Sequence, residues 1–215
     1  MKNYLDEIIY GNPTDDFLPY LRKGGYDFIF EDLKDYPHPS NSSEAAKDEI
    51  RALIEYQNLP EQQNEELVGR YIEYDKNLIE IFKNYCKNKV GENLDSQIDE
   101  IIEDTKFLVA KLKFHYQRIR PYQLAGQYKA KLFPFKSLAA VNPSYPSGHT
   151  FQARVLTEFI GNKYPEHYET LSNLTHDVAT SRLFLGLHYP TDNDFAHICA
   201  KRLVQSKEFT SKYGI

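Results

Sequence analysis

Apolar side chains recur at helical spacing along most of the chain. Leu67, Val68, Tyr71, Ile72, Leu78, Ile79, Phe82 and Cys86 form one stripe, and Ile98, Ile101, Ile102, Leu108, Val109 and Leu112 form a second. Residues three and four apart share a helix face, so each stripe predicts a long amphipathic helix with one side turned to a core. Asn41 followed by Glu44 has capping-box spacing and opens a shorter helix to about Gln57, and Asn58 with Glu61 repeats the pattern around Pro60. Phe151, Val155, Leu156, Phe159 and Ile160 mark a further helix that stops at Gly161-Asn162, with Pro165 placed to open the next. In that helix Leu171, Leu174, Val178, Ser181 and Leu185 line one face, which extends to His188 before Pro190 breaks it. Thr191 can cap a last helix on which Asp192 heads the stripe of Phe195, Ile198, Cys199 and Leu203.

No stretch alternates strongly enough to predict a sheet, so the expected class is all-α. No linker divides the chain, and residues 1–215 read as one helical-bundle domain. Asn12-Pro13, Gly24-Gly25 and Pro37-His38-Pro39 punctuate residues 1–40, which predicts an irregular wrapping segment with a short helix at most, remote from function. Tyr122 to Tyr145, with its glycine, two prolines and three lysines, reads as a loop.

Charge and composition narrow the function. Twenty-six basic against 31 acidic residues leave a net charge of −5, which argues against nucleic acid as a bulk electrostatic partner; an anion site must be local. No apolar run approaches the roughly 20 residues that cross a bilayer. The first residues lack a basic start and an apolar core of a secretory signal, so a cytoplasmic location is expected, or a periplasmic one if a signal was removed before residue 1. Cys86 and Cys199 lie on separate apolar stripes without ligand spacing, and are expected to be reduced core residues; no metal-ligand set is visible.

Three polar clusters carry the chemistry. Lys113 and Arg120 are seven apart on a predicted helix that Pro121 ends, so both can emerge on one face and hold one anion. Pro146-Ser147-Gly148-His149 precedes a helix, which sets backbone N–H groups and the positive helix end beside a hydroxyl and an imidazole. Ser181 and His188 share a predicted face, with Arg182 beside them and Asp192 across a proline turn. A carboxylate on one ring nitrogen leaves the other free as nucleophile or base. Taken singly, each cluster is as well explained by structure: a solvated basic face, a capped turn, a self-satisfied His-Asp pair.

In order and spacing the clusters match Lys-x6-Arg-Pro, Pro-Ser-Gly-His and Ser-Arg-x5-His-x3-Asp. The chain thereby resembles the type 2 phosphatidic acid phosphatase superfamily, and within it the soluble bacterial class A non-specific acid phosphatases, whose extended second motif is similar to Ser144–Thr150. The resemblance covers residues 113–192 and implies an α-helical bundle of the kind shared with vanadium haloperoxidases. It implies that His188 is the nucleophile, Asp192 its orienting carboxylate and His149 the general acid and then base. Lys113, Arg120, Arg182, the Ser147 hydroxyl and the Gly148 N–H would bind the phosphoryl oxygens, without a metal or other cofactor. The expected substrate is a small-molecule phosphate ester, with transfer to alcohols beside hydrolysis, and family analogy leaves a homo-oligomer open. A vanadate-dependent haloperoxidase and a non-catalytic phospholigand binder are the alternatives; in the first reading vanadate is an inhibitor, in the haloperoxidase a cofactor. His115 and Arg118 stand near the first motif, within reach of a substrate, with an interior or rim position the alternative for His115; Lys129, Lys131 and Lys136 read as a solvated loop, and Tyr116, Tyr122, Phe133 and Phe135 as core packing.

Overall fold

The computed structural model describes residues 3–22, 24–60 and 64–215. Among them ten α-helices and no strand are found: α1 (Leu18–Arg22), α2 (Asp27–Leu33), α3 (Glu44–Gln57), α4 (Glu65–Tyr85), α5 (Asp95–Tyr116), α6 (Pro121–Gln127), α7 (Gly148–Lys163), α8 (Tyr168–Phe184), α9 (Pro190–Val204) and α10 (Lys207–Tyr213). The apolar stripes are the faces that meet. Phe151, Val155, Leu156, Phe159 and Ile160 of α7 are fully buried, as are Phe82 of α4, Leu108 and Leu112 of α5, Val178 of α8 and Phe195 of α9. Each such large side chain contributes about 1.5–3 kcal/mol by leaving water. Helix α7 is the hub, packed chiefly on α8 and α9 and also on α4 and α5. Its end approaches α8 so closely that a Cβ on Gly161 would come within 2.4 Å of the Tyr168 ring.

Caps explain where several helices begin. Ser43, rather than Asn41, caps α3, its hydroxyl accepting from the N–H of Ala46. Asn41 instead donates to the carbonyls of Leu5 and Ile8 and ties the N-terminal segment to the body. Asn58 ends α3, while Glu61 lies outside the described residues. Asn64 caps α4 by accepting from the N–H groups of Glu66 and Leu67. A π-turn at Cys86–Val90 extends α4, and α4 is kinked at Asn77.

The described residues among the first 40 are more regular than their prolines and glycines predict. They form a 3-10 turn at Tyr4–Glu7 as well as α1 and α2, and they pack on α5 and α9. Tyr36 stacks on Phe195 at 4.9 Å, and Tyr145 donates to the carbonyl of Pro37. Local punctuation could not reveal this, because the order comes from surfaces supplied by later helices. Both cysteines are free and buried; burial pushes the Cys86 thiol up to about 11.

Candidate active site

The three clusters converge, though two of them do so off the helices that the spacing predicts. Helix α5 stops at Tyr116, where Gln117 turns left-handed (φ 48°) and its N–H bonds the carbonyl of Lys113. Arg120 lies beyond this break as the N-cap of α6, with Pro121 at the first helical position. Lys113 and Arg120 therefore do not share a helix face; the turn at Gln117 leaves both lining one cavity. The break was hidden because glutamine, not glycine, takes the left-handed position.

The third cluster is corrected in the same way. Helix α8 ends at Phe184, so Ser181 and His188 are not on one face, and the Ser181 hydroxyl donates to the carbonyl of Val178. Gly186 turns the chain at φ +66°, where a Cβ would also stand 3.1 Å from Gln57 Nε2. The N–H groups of Leu187 and His188 then close on the carbonyl of Arg182 at 3.1 and 3.3 Å. Tyr189, rather than Thr191, is the N-cap of α9; Pro190 follows it, and the Asp192 carboxylate accepts from the Tyr189 N–H at 3.0 Å. The second cluster stands as the spacing predicts, with Ser147 at the N-cap of α7 and Gly148 and His149 in its first turn.

A cavity of about 480 Å³ opens here, and Lys113, Arg120, Gly148, His149, Arg182 and His188 all line it. Ser147 does not. Its hydroxyl donates to Thr150 at 2.9 Å, and Thr150 passes the bond on to Asn193 of α9. Asp192 lies behind His188, wholly buried. Its Oδ2 accepts from His188 Nδ1 at 3.0 Å and from the Ser144 hydroxyl, its Oδ1 from Arg118 at 2.7 Å, and its carbonyl from the N–H of Ser147 at 3.0 Å. The second and third motifs are thus joined through one aspartate.

On its other side His188 Nε2 meets Nη1 of Arg120 at 2.9 Å. A guanidinium only donates, so Nε2 holds the lone pair and Nδ1 the proton shared with Asp192. Arg120 also donates to the carbonyls of Leu187 and Asn142 and to the Asn142 side chain. Lys113 donates to the carbonyl of Pro143 at 2.6 Å. Arg182 is held by Asp75 of α4 at 2.7 Å, while its buried Nε has no hydrogen-bond partner. Asp75 further accepts from the Ser137 hydroxyl, and its carbonyl faces His149 Nε2 at 3.1 Å.

Three buried cations side by side set the electrostatics. Burial and the nearby Arg120 hold Lys113 well below the usual ammonium range; burial draws Arg120 down to about 10. Burial, then the charge of Arg182, brings His149 down to about 3 against the pull of Asp75. His188 is also well below its ordinary value, by burial and Arg120, with Asp192 opposing. Burial works to raise Asp192, but Arg118 and the bonds from His188 and Ser144 outweigh it and keep it ionised. Every one of the lining cations would be relieved by an anion, and the orphaned Arg182 Nε adds a donor. No group of three or more His, Cys, Asp or Glu side chains that could hold a metal ion stands among the described residues.

Three supporting residues lie outside the motif positions. Asp75 pairs with Arg182 across 107 positions. Arg118 stacks over the Tyr189 ring at 3.8 Å and joins Asp192 to Glu49 of α3, which in turn accepts from Thr191. Only Arg118 stood near a motif. The N-terminal segment also reaches the site, since Asp16, Phe17 and Tyr20 line the cavity, contrary to its expected remoteness. Lys129, Lys131 and Lys136 are not in the lining, and Tyr116 packs with Tyr145 and Phe195.

Helices around an oxyanion-ready cradle of His, Arg and Lys define an all-α protein with a buried anion site. Residues 105–200, a little under half of the chain, match the family model described as PAP2 superfamily. The chain is 28% identical over 117 residues to a non-specific acid phosphatase of Providencia stuartii, and 30% identical over 103 residues to one of Salmonella typhimurium. These matches cover 54% and 48% of this chain but only 47% and 39% of the relatives, less than half of their length. The fold is similar to that of a transmembrane PAP2-type phosphatidylglycerolphosphate phosphatase of Bacillus subtilis, with a TM-score of 0.56 at 20% identity, covering 86% of this chain and 94% of that one. Among the described residues no helix is long and apolar enough to cross a membrane.

Proposed function

We propose that the protein is a phosphatase that hydrolyses phosphate monoesters without a metal, through a phosphohistidine on His188. The observation that carries this reading is the His188 ring, fixed by Asp192 on Nδ1 and presenting an Nε2 lone pair among Lys113, Arg120 and Arg182. The acid phosphatase names of the similar proteins support the same chemistry.

In this mechanism the three cations and the Gly148 N–H hold the phosphoryl oxygens and neutralise charge as the transition state spreads it. Phosphoryl oxygens draw Arg120 off Nε2, which then attacks phosphorus while the ester P–O bond breaks. Protonated His149 gives its proton to the leaving oxygen. With Nε2 engaged by the Asp75 carbonyl, Nδ1 is the nitrogen that carries this proton. Water then attacks the phosphohistidine, His149 takes a proton from it, and the P–N bond breaks to release phosphate. An alcohol in place of water gives transfer.

The test is hydrolysis of p-nitrophenyl phosphate with chelator present. Turnover is expected in the parent and none in His188→Ala of unchanged thermal stability. Parental turnover in that variant, or loss of activity on chelation, would sink the proposal.

A further inference from the structure

Besides Lys113, Arg120 and Arg182, the cavity lining carries a group of rings. Phe17 of the N-terminal segment lies 5.3 Å from Phe114 of α5 and 6.3 Å from Tyr20 of α1, and all three line the cavity. Tyr20 is held in turn by Phe107 at 5.6 Å and by Lys106, whose ammonium sits 4.9 Å over its ring. Val109, Ala110 and the Ala139–Val141 stretch complete an apolar surround, and Val141 remains largely exposed at 56%.

Several polar atoms in this region are already engaged, although Asp16 and Gln152 also line the cavity. The Thr105 hydroxyl donates to the carbonyl of Ile101, Asn142 accepts from Arg120, and Lys106 pairs with Glu103. A leaving group rich in hydroxyls would lose water here and find few partners, which costs free energy; an apolar ring would gain by burial and ring contact. Phe17 and Tyr20 lie outside the family-matched residues 105–200, whereas Phe114 lies within them.

We propose that Phe17, Tyr20 and Phe114 form the leaving-group subsite, selecting phosphate esters of an aromatic or similarly apolar ring over small polyhydroxylated esters. The cavity of about 480 Å³ has room for a phosphoryl group and such a ring. This rests on the phosphatase reading for which fragment leaves, but the binding preference can be read without turnover.

Phenylphosphonate and methylphosphonate, whose C–P bonds are not hydrolysed, are titrated calorimetrically into the parent, Phe17→Ala and Tyr20→Ala. The parent should bind the phenyl compound about tenfold more tightly, and the preference should fall several-fold in both variants. Phe17→Leu, which keeps apolar bulk without a ring, should fall between parent and Phe17→Ala and serves if the alanine variant unfolds. Equal affinity for the two phosphonates, or a preference untouched by every variant, overturns the subsite. Phenyl preference together with absent hydrolysis of phenyl phosphate supports the subsite and defeats the phosphatase reading instead.

Discussion

Nη1 of Arg120 lies 2.9 Å from Nε2 of His188, so the proposed nucleophile and the cation meant for its substrate are bonded to each other in the free protein. A phosphoryl group can win Arg120 because a charge-assisted bond to oxygen is stronger than one to a neutral imidazole. Lysine at this position could not keep the bonds to Asn142 and Leu187 while also serving phosphate. Arg120→Lys should lower kcat by about 10²- to 10³-fold, the scale of losing one preorganised donor. Steady-state kinetics on p-nitrophenyl phosphate checks this, and an unchanged kcat would remove Arg120 from the transition state.

Asp75 neutralises Arg182 where both are buried. Deleting the carboxylate in Asp75→Ala leaves a buried cation unpaired, which should cost about 3 kcal/mol. Inorganic phosphate or orthovanadate would replace the lost charge, so saturating anion should raise the variant's Tm by more than the parent's. Equal shifts in the two proteins would show that Arg182 does not meet the anion.

The imidazoles predict a bell-shaped activity profile. His188 must be neutral to attack, and its depressed pKa puts the acid limb below the ordinary histidine range. His149 must be protonated, yet burial and Arg182 hold it at about 3 in the free protein. A bound phosphate dianion counters Arg182 and Lys113 and raises it. Binding of sulfate, which is already a dianion near pH 5, should therefore take up protons onto His149, visible as a dependence of calorimetric heat on buffer ionisation enthalpy. Heats independent of the buffer, or a rate flat from about pH 4 to 9, would contradict these roles.

Stability should fall in acid. For histidines with depressed folded pKa, the unfolded chain binds protons first, so their contribution is complete above about pH 6.5 and is lost as pH falls, toward about 3 for His149. Asp192, lowered in the folded state, adds a loss in the same direction below the usual carboxylate range. The Tm should be lower at pH 4.5 than at 7.5, and the drop should shrink in His149→Gln. A Tm that rises on acidification would show that these groups are not buried uncharged.

A Cβ on Gly148 would stand 3.8 Å from Lys113 Cε, an ordinary contact, within the lining of the cavity. Gly148→Ala should therefore keep or slightly raise Tm, since alanine favours a helix by up to about 1 kcal/mol, while weakening phosphate binding. Parental KM and kcat in this variant would show that the phosphoryl group does not approach the α7 N-terminus.

Sequence periodicity alone determined α4, α5, α7, α8 and α9, because an amphipathic stripe of Leu, Ile and Phe has one way to hide from water whichever neighbour covers it; α1 and α2 formed in a segment read as irregular, and α6 in the Tyr122–Tyr145 stretch read as a loop. Motif spacing likewise marked Lys113, Arg120, Gly148, His149, Arg182 and His188, which the folded chain does bring to one cavity. Tertiary structure decided how they meet. Gln117 and Gly186 break the helices that spacing extended, and the Ser147 hydroxyl turns into the packing between α7 and α9. Asp75, Glu49 and the rings of Phe17 and Tyr20 reach the site or its supports from outside the motifs. Local pattern encodes which face of an element is buried, whereas a charge partner 107 residues away is chosen only by how the faces pack.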